Sequence, residues 1–367
     1  MSHAGRATPE GTARFAARHA GTGQGHFRKS KNLTWSSLGI GTYLGAGDEA
    51  TDGLVADAVD AVVAGGMNVI DSAANYRRER GEKSVGVALE RVFTTGVAKR
   101  DEVVVCTKGG FLPHGQAWFE KEFIGKQGIA ADDLVGGSHC MHPDYLAAQL
   151  DRSLENLGLE TIDVHYVHNP ESQAGKVAPE IFQARLEAAF RFLEGAVQAG
   201  KIGAYGVATW NAFRVPGKTP GAMSLNDTKH LARRATDGTA DHLSYVQLPL
   251  NLAMTEALVK PTQEIGAETL AAIRAATTLG LRVLTSGSIR QGKLGALPDA
   301  IAGALGKDLK SDAQRALQFT RSAPGVGTAL VGLKQPAHVA EALDLCRRAP
   351  LAPAAVLGMF RKPPATG

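Results

Sequence analysis

The chain has few cysteines, and those it has are poorly placed for cross-links or metals. Its 367 residues include Cys106, Cys140 and Cys346, an odd number that lie far apart and in no metal-ligand spacing. This set argues against a disulfide framework and against a zinc site, and it fits a reducing compartment. We therefore predict no metal.

Long hydrophobic runs and a strong charge of one sign are also absent. No stretch approaches the roughly 18 apolar residues of a membrane span, and the N-terminus has no apolar segment of the signal-peptide kind. A cytoplasmic location without membrane contact is the default expectation. The net charge is only +4, and the basic residues are spread along the chain, so nucleic acid is not expected as a partner.

Apolar side chains and glycine are plentiful. Hydrophobic residues make up 44% of the chain and glycines number 43, enough for a sizeable core and many tight turns. Residues 1–32 show no sustained periodicity and are predicted to be a flexible N-terminal arm or a wrapping extension. Residues 33–367 are predicted to form a single catalytic domain.

From Leu38 onward, short β-branched runs alternate with longer amphipathic stretches, the pattern of repeated βα units. The predicted strands are 38–42, 68–71, 103–107, 163–168, 204–208, 245–248, 282–285 and 328–332. The predicted helices are 54–64, 82–93, 145–157, 179–198, 225–235, 269–278, 313–321 and 338–346.

Eight sequential parallel units close a sheet into a barrel, whereas a doubly wound sheet usually has a glycine-rich phosphate turn after its first strand. Here the first strand leads into GIGTYLGAGD, which lacks the GxGxxG spacing. We predict the α/β class and a (β/α)8 TIM barrel with long βα loops and an N-terminal extension. The long loops are 109–143, 210–226 and 290–311, and substrate choice is expected to reside there.

The strand ends carry residues with proton and charge chemistry. Asp71 closes the second strand in NVIDSAANY, and Tyr76 follows in the turn. Lys108 closes the third strand in VVVCTKGG, and His168 closes the fourth in DVHYVHNPE. Taken singly, each has an ordinary structural explanation, such as a cap, a surface lysine or a core histidine. Three consecutive strand ends of this kind with an adjacent tyrosine predict a catalytic site.

Several spaced motifs now resemble a known family, the aldo/keto reductases, over about residues 33–350. The motifs are GIGTYLG, GMNVIDSAANYRRERGEKSVGVAL, VVVCTKGG, SLENLGLETIDVHYVHNPE, GKIGAYGVATWN, VQLPLNLA and ALVGLKQPAHVAEAL. The resemblance implies that a reduced nicotinamide delivers hydride to a carbonyl carbon. It also implies that Tyr76 donates a proton to the carbonyl oxygen, with Lys108 stabilising the phenolate, Asp71 holding Lys108, and His168 orienting the substrate.

The same resemblance assigns residues to the cofactor, which family members bind across the barrel mouth. Gly41, Thr42 and Asp71 approach the nicotinamide end, with Gln247 at the carboxamide. Ser286 or Ser288 approaches the pyrophosphate. At the adenosine end, Lys334 and His338 lie where the family recognises a 2′-phosphate, with Glu341 near the adenine amine. Two cationic groups at a helix start suit a phosphate, so NADP is expected in preference to NAD.

The chain departs from the family pattern at several cofactor positions. Ala208 and Thr209 replace a Ser-Asn pair at the carboxamide, where Thr209 can restore one hydrogen bond. Leu250 stands near where an aromatic ring often stacks on the nicotinamide, and Ala342 replaces an asparagine at the adenine. A lost stacking ring would weaken nicotinamide binding.

The remaining assignments have two explanations each. Glu82 matches a family position, but a glutamate at a helix start also interacts with the helix dipole, and we leave it outside the catalytic set. The segment 109–143 carries His114, Trp118, Phe119, Phe123, His139 and His142, which form either an aromatic lid or an ordinary solvated loop.

Three functions are consistent with the pattern. The first is an NADP-dependent oxidoreductase that reduces a small aldehyde or ketone. The second uses Tyr76, Lys108 and His168 for proton transfer alone, in an isomerase, dehydratase or lyase. The third is a non-catalytic, cofactor-sensing subunit, against which the retention of all four catalytic residue types argues.

Overall fold

A computed structural model describes residues 2–126, 128–293 and 295–360. Residues 361–367, the end of the predicted catalytic domain, lie outside the described residues. The strands are β1 (Phe27–Ser30), β2 (Leu33–Ser36), β3 (Leu38–Gly41), β4 (Val69–Asp71), β5 (Val104–Gly109), β6 (Ile162–His168), β7 (Ile202–Ala208), β8 (Leu243–Pro249), β9 (Pro261–Ile265), β10 (Glu268–Ala271), β11 (Arg282–Ser286) and β12 (Val326–Gly332).

The α-helices are numbered in chain order. They are α1 (Pro9–Arg18), α2 (Glu49–Ala64), α3 (Arg80–Thr94), α4 (Gln116–Glu122), α5 (Pro143–Leu157), α6 (Pro179–Gln198), α7 (Leu225–Ala235), α8 (Glu256–Val259), α9 (Ala272–Thr278), α10 (Asp299–Leu305), α11 (Asp312–Ser322), α12 (Pro336–Cys346) and α13 (Pro353–Gly358). None of the helices in the described ranges combines the length and the apolar character that crossing a bilayer requires.

Eight parallel strands form a closed barrel in the order β3-β4-β5-β6-β7-β8-β11-β12, and β12 pairs with β3 to close it. The predicted (β/α)8 barrel is confirmed. Each predicted strand coincides with a barrel strand to within two residues at either end. The β-branched runs locate the strands well because parallel barrel strands are buried on both faces.

Side-chain alternation decides which residues enter the barrel. The buried cluster inside it contains Val69, Cys106, Tyr166 and Tyr245. Side chains along a strand alternate with a period of two, so the residue two positions further on also points inward, at the carboxyl end. These next residues are Asp71, Lys108, His168 and Gln247. The fold therefore gathers the polar strand ends at one mouth of the barrel.

The N-terminal segment covers the opposite end of the barrel. Trp35 on β2 is fully buried, and its ring packs against Tyr245 with the centroids 5.4 Å apart. Arg28 on β1 donates to the carbonyl oxygen of Val326, the first residue of β12, at 2.7 Å. The segment is thus a packed extension and not a flexible arm, because its apolar and basic side chains find partners on the barrel base.

One predicted helix begins later than expected. The sequence pattern predicts a helix from Thr269, but residues 261–271 form the antiparallel hairpin β9–β10, and α9 begins only at Ala272. The hairpin turns at Gly266, whose φ of 59° suits glycine in a two-residue turn. Gln263 of the hairpin donates to the carbonyl oxygen of Phe213 at 2.9 Å, so the hairpin supports the loop after β7.

Candidate active site

A buried ion pair lies at the carboxyl ends of β4 and β5. Lys108 Nζ donates to Asp71 Oδ2 at 2.6 Å and to the Ser72 carbonyl oxygen at 2.7 Å. The Tyr76 hydroxyl oxygen lies 3.3 Å from the same Nζ. The side chains of Lys108 and Asp71 are 0% and 5% exposed. Three of the four predicted catalytic residues therefore form one hydrogen-bonded cluster.

Burial and charge act in opposite directions on these groups. Burial raises the pKa values of Tyr76 and Asp71, and Lys108 opposes both shifts. Burial acts to lower the pKa of Lys108, but the attraction of Asp71 and Tyr76 outweighs it and the pKa is raised. Lys108 thus keeps its charge and Tyr76 its proton at neutral pH. Lys108 opposes the upward shift of the Tyr76 pKa without reversing it.

His168 joins the cluster from the end of β6. Its imidazole lines the same cavity as Tyr76, with the two ring centroids 5.8 Å apart. Burial, reinforced by the positive charge of Lys108 and by His139, holds the pKa of His168 well below its ordinary value. The imidazole is therefore neutral at physiological pH and offers one N–H donor.

The backbone of His168 is held from the loop that follows β5. His139 Nε2 donates to the carbonyl oxygen of His168 at 2.7 Å. The Nε2 of Gln173 donates to His139 Nδ1 at 3.1 Å. Because an amide nitrogen donates and does not accept, these two bonds together place the His139 proton on Nε2. Burial lowers the pKa of His139 to about 4, which keeps this tautomer neutral.

A cavity of about 490 Å³ opens next to the cluster. Its walls come from the carboxyl ends of the barrel strands and from the loops that follow them. The predicted site residues that line it are Gly41, Thr42, Asp71, Tyr76, His168, Thr209, Gln247, Ser286 and Ser288. Lys108 lies behind this wall and acts on the cavity through Asp71 and Tyr76.

Several of the cavity residues already bind other protein groups, among them Gln247 and Ser288. Gln247 Nε2 donates to Asp71 Oδ1 at 2.8 Å, and the Gln247 side-chain oxygen has no partner among the described residues. Ser288 Oγ donates to the carbonyl oxygen of Leu330 at 2.7 Å. Ser286 makes no such side-chain bond within the described ranges, so its hydroxyl group is the more available of the two.

The three residues predicted at the adenosine end lie outside the cavity. Lys334 is two residues beyond Gly332, which lines the cavity, and His338 lies exposed in the first turn of α12. Glu341 Oε2 accepts from Ser311 Oγ at 3.0 Å. The structure therefore places Lys334 and His338 at an open helix start, and it gives Glu341 a partner within the protein.

The structure changes the interpretation of Leu250, one of the departures from the family pattern. Leu250 is fully buried in the core outside the barrel and does not line the cavity. A ring at this position would lie in the core, so the absence of one does not alter the cavity wall. Ala208 does line the cavity, whereas Ala342 is buried within α12.

The side chains considered for an aromatic lid do not lie at the cavity. A separate small core contains Phe119, Ile129, Cys140 and Tyr145, with Trp118 and Phe123 packed against it. None of the six residues considered for the lid lines the cavity, and Phe111 is the aromatic residue of this loop that does. Aromatic rings in a loop indicate packing, but the sequence does not say against which partner.

Two further aromatic residues at the cavity were missed, Tyr43 and Trp210. They are 54% and 38% exposed, which is unusual for such large rings. The backbone of Trp210 is held on both sides. Its N–H donates to Glu171 Oε1 at 2.5 Å, and its carbonyl oxygen accepts from Arg214 Nε at 2.8 Å. Glu171 thus anchors the loop after β7.

Glu82 has a role that neither sequence explanation gives. It is fully buried, and its Oε1 accepts from Thr107 Oγ1 at 2.5 Å while its Oε2 accepts from Asn156 Nδ2 at 3.0 Å. Burial raises its pKa. Glu82 therefore joins α3 to β5 and α5 next to Lys108, behind the cavity.

Among the described residues, no cluster of His, Cys, Asp or Glu has the arrangement of a metal site.

Comparison with known sequences supports the resemblance. Residues 37–216 match the Aldo/keto reductase family. Aldose reductase B of Dictyostelium discoideum is 30% identical over 133 residues, which are 36% of this chain and 32% of that protein. Aldo-keto reductase family 4 member C11 of Arabidopsis thaliana is 27% identical over 195 residues, 52% of this chain and 51% of that protein. The chain thus spans about half or less of these relatives.

Solved structures share the fold over nearly the whole chain. An aldo/keto reductase from Klebsiella pneumoniae, in complex with NADP and acetate, superposes with a TM-score of 0.60 at 18% identity, covering 92% of this chain and 96% of that one. The holo form of aldo-keto reductase AKR11C1 from Bacillus halodurans gives the same values. The matched residues 37–216 include Asp71, Tyr76, Lys108 and His168, so all four predicted catalytic residues lie in the part of the chain that matches the Aldo/keto reductase family.

Proposed function

We propose that this protein is an NADP-dependent oxidoreductase that reduces an aldehyde or ketone to an alcohol. The observation that carries the proposal is the position of Lys108 Nζ, which is 2.6 Å from Asp71 Oδ2 and 3.3 Å from the Tyr76 hydroxyl. A cation at this distance stabilises the phenolate that forms when Tyr76 gives up its proton. The named relatives are called reductases, in agreement with this activity.

The cavity has groups that fit a nicotinamide dinucleotide. The unpartnered side-chain oxygen of Gln247 suits the N–H of a carboxamide, and Thr209 adds a hydroxyl on the neighbouring strand. The Ser286 hydroxyl suits a phosphate oxygen. At the start of α12, unpaired backbone N–H groups and the side chains of Lys334 and His338 suit a 2′-phosphate. This cationic helix start favours NADP over NAD.

The protein residues then divide the chemistry. When bound, the reduced nicotinamide supplies the hydride that adds to the substrate carbonyl carbon. Tyr76 donates its hydroxyl proton to the carbonyl oxygen, which completes the alcohol, and solvent later returns the proton. Lys108 stabilises the phenolate, and Asp71 keeps Lys108 charged and in place. In the reverse direction, Tyr76 accepts the proton from the alcohol.

His168 has the properties of a neutral hydrogen-bond donor to the substrate oxygen. Its imidazole lines the cavity beside Tyr76 and its pKa lies well below the ordinary value. A neutral donor polarises the carbonyl without competing with Tyr76 as the acid. Residues 33–360 act together in this proposal as one catalytic domain, with the N-terminal extension packed on its base.

Calorimetric titration with NADPH and with NADH tests the proposal. We expect NADPH to bind about tenfold or more tightly than NADH, because a phosphate-to-cation hydrogen bond contributes about 1.5–3 kcal/mol. Lys334→Ala should remove most of this preference without changing NADH affinity. If the protein binds neither nucleotide, hydride transfer is excluded and the proton-transfer alternative gains support.

A carbonyl screen with a matched variant tests the chemistry. Tyr76→Phe should bind NADPH as the wild type does, since the ring remains. It should reduce the carbonyl about 10²- to 10⁴-fold more slowly, because general acid catalysis contributes on that order. Equal rates in the wild type and Tyr76→Phe would contradict the assignment of Tyr76 as the acid.

A further inference from the structure

The backbone immediately after Tyr76 has an unusual conformation. Arg77, Arg78 and Glu79 have φ values of 50°, 56° and 70°, so three successive residues lie in the left-handed region. None of them is glycine. Residues with a Cβ adopt this region at a cost in conformational energy, and runs of them are rarer still. Such strain persists only where surrounding contacts hold it in place.

The side chain of Arg77 supplies those contacts. It is only 2% exposed, and its Nη1 lies 2.5 Å from Asp52 Oδ1 on α2. Its Nη2 donates to Ser84 Oγ on α3 at 3.0 Å. Asp52 also binds Arg80 Nη2 at 2.6 Å through its other oxygen. Arg77 therefore joins α2 to the beginning of α3, directly beside Tyr76.

The start of α3 also packs on Tyr76 itself. Gly81 N donates to the Tyr76 carbonyl oxygen at 3.1 Å. A Cβ at Gly81 would lie 3.0 Å from the Cβ of Tyr76, so the helix leaves almost no space for the tyrosine backbone to shift. The position of Tyr76 thus depends on where the left-handed turn sets the first residues of α3.

The neighbouring residue provides a comparison within the same turn. Arg78 has the same left-handed backbone as Arg77, but its side chain is exposed. It makes no side-chain hydrogen bond or ion pair in the portion of the chain that the structure describes. The turn therefore contains one anchored arginine and one unanchored arginine, both in the left-handed region.

We propose that Arg77 is a positioning residue, whose ion pair with Asp52 fixes the strained turn so that the Tyr76 hydroxyl stays within reach of Lys108 Nζ. The inference rests on the proposed role of Tyr76 as the acid. Arg77 is 2% exposed and bound to α2 and α3, so it acts through Tyr76 and not on the substrate. A purely structural arginine would affect stability alone.

Glycine variants separate the two roles. Both Arg77→Gly and Arg78→Gly relieve left-handed strain, but only the first removes the ion pair. We expect Arg77→Gly to lower kcat about 10- to 100-fold, because small displacements of a catalytic group have effects of this size. Its KM and its NADPH dissociation constant should stay close to those of the wild type. Arg78→Gly should leave all three quantities unchanged.

A second measurement does not depend on activity. The ¹³Cζ chemical shift of Tyr76, assigned by comparison with Tyr76→Phe, reports on the surroundings of the hydroxyl group. We expect this shift to change in Arg77→Gly and not in Arg78→Gly, with both variants folded. Unchanged ¹³Cζ shifts in both glycine variants would overturn the inference. A wild type that binds no NADPH would instead overturn the proposed function and leave the ¹³Cζ comparison to decide the role of Arg77.

Discussion

The Nε2 of His139 donates a 2.7 Å hydrogen bond to the carbonyl oxygen of His168. His139 belongs to the long loop after β5, and His168 ends β6. The bond therefore ties the loop to the strand end that presents the imidazole to the cavity. The Nδ1 atom of the His168 imidazole has no hydrogen-bond partner among the described residues.

Loss of this bond should disturb both stability and catalysis. His139→Phe keeps the ring volume but leaves the buried His168 carbonyl oxygen unpaired, which costs about 1–3 kcal/mol. We expect urea denaturation to show this loss and kcat to fall. His114→Phe, in the same loop but 37% exposed, should change the free energy of unfolding by less than about 0.5 kcal/mol. Equal effects in the two variants would contradict the role of His139.

The ion pair between Asp71 and Lys108 should behave differently from a surface pair. Lys108→Met leaves a buried carboxylate without its cation, and we expect the free energy of unfolding to fall by about 3–5 kcal/mol. The double variant with Asp71→Asn should recover part of this loss, because a neutral amide costs less to bury than a charge.

The exposed pair of Lys201 and Asp151 is the matched control. Their side chains are 45% and 59% exposed, so Lys201→Met should cost less than about 1 kcal/mol. Urea denaturation of the three variants gives the comparison. If the Asp71→Asn change adds to the loss in Lys108→Met, the pair is not coupled as the structure implies.

Trp210 should contribute to cofactor binding. Its ring lines the cavity, and its Cη2 would lie 3.8 Å from a Cβ at Gly287, so it reaches from the end of β7 to the segment after β11. We expect Trp210→Ala to weaken NADPH binding about tenfold, as loss of an aromatic contact and its buried area implies. Trp210→Phe keeps an aromatic face and should stay much closer to the wild type. Calorimetry that finds equal NADPH affinity for Trp210→Ala would contradict this role.

The barrel could be predicted because its strands obey a simple rule. Runs such as VVVCTK and IDVHYVH are rich in β-branched residues and buried on both faces, and they end in the polar residues Lys108 and His168. The same rule places Asp71 and Gln247 at the same mouth. Strand ends thus predict the cluster without any knowledge of distances.

The N-terminal extension and the inserted hairpin could not be predicted with the same rule. Their strands lie outside the barrel, and β1 and β9 are only partly buried. Local signals did exist. Pro9 follows the helix cap Thr8, whose side chain accepts from Gly11 N at 2.9 Å, and Lys31 with Asn32 forms a two-residue turn with both φ values positive, 51° and 64°.

Loop side chains were the hardest to assign. Trp118 and Trp210 both lie in long loops after barrel strands, yet one packs in a separate small core and the other lines the cavity. The difference arises from tertiary anchors such as the Glu171 contact with the backbone of Trp210. Single-residue patterns do not encode such contacts, because the two partners are 39 residues apart.

Acid should destabilise the fold in part through a histidine outside the active site. Burial lowers the pKa of His165 on β6 to about 4. Between that value and the ordinary pKa of about 6.5, the unfolded chain binds a proton that the folded chain does not. The contribution of neutral His165 to the free energy of unfolding is therefore fully present above pH 6.5. It falls as the pH decreases towards 4, by about 1.4 kcal/mol per pH unit at most.

His165→Leu should remove the part of the pH-dependent loss of unfolding free energy that arises from His165. Neither ring nitrogen of His165 has a hydrogen-bond partner in the part of the chain that the structure describes, so leucine leaves no broken bond behind. We expect the loss of unfolding free energy between pH 7 and pH 5 to be about 2 kcal/mol smaller in this variant. His230→Leu, exposed on α7, is the control and should match the wild type. Equal pH-dependent losses in all three proteins would show that His165 titrates in the folded state as it does in the unfolded chain.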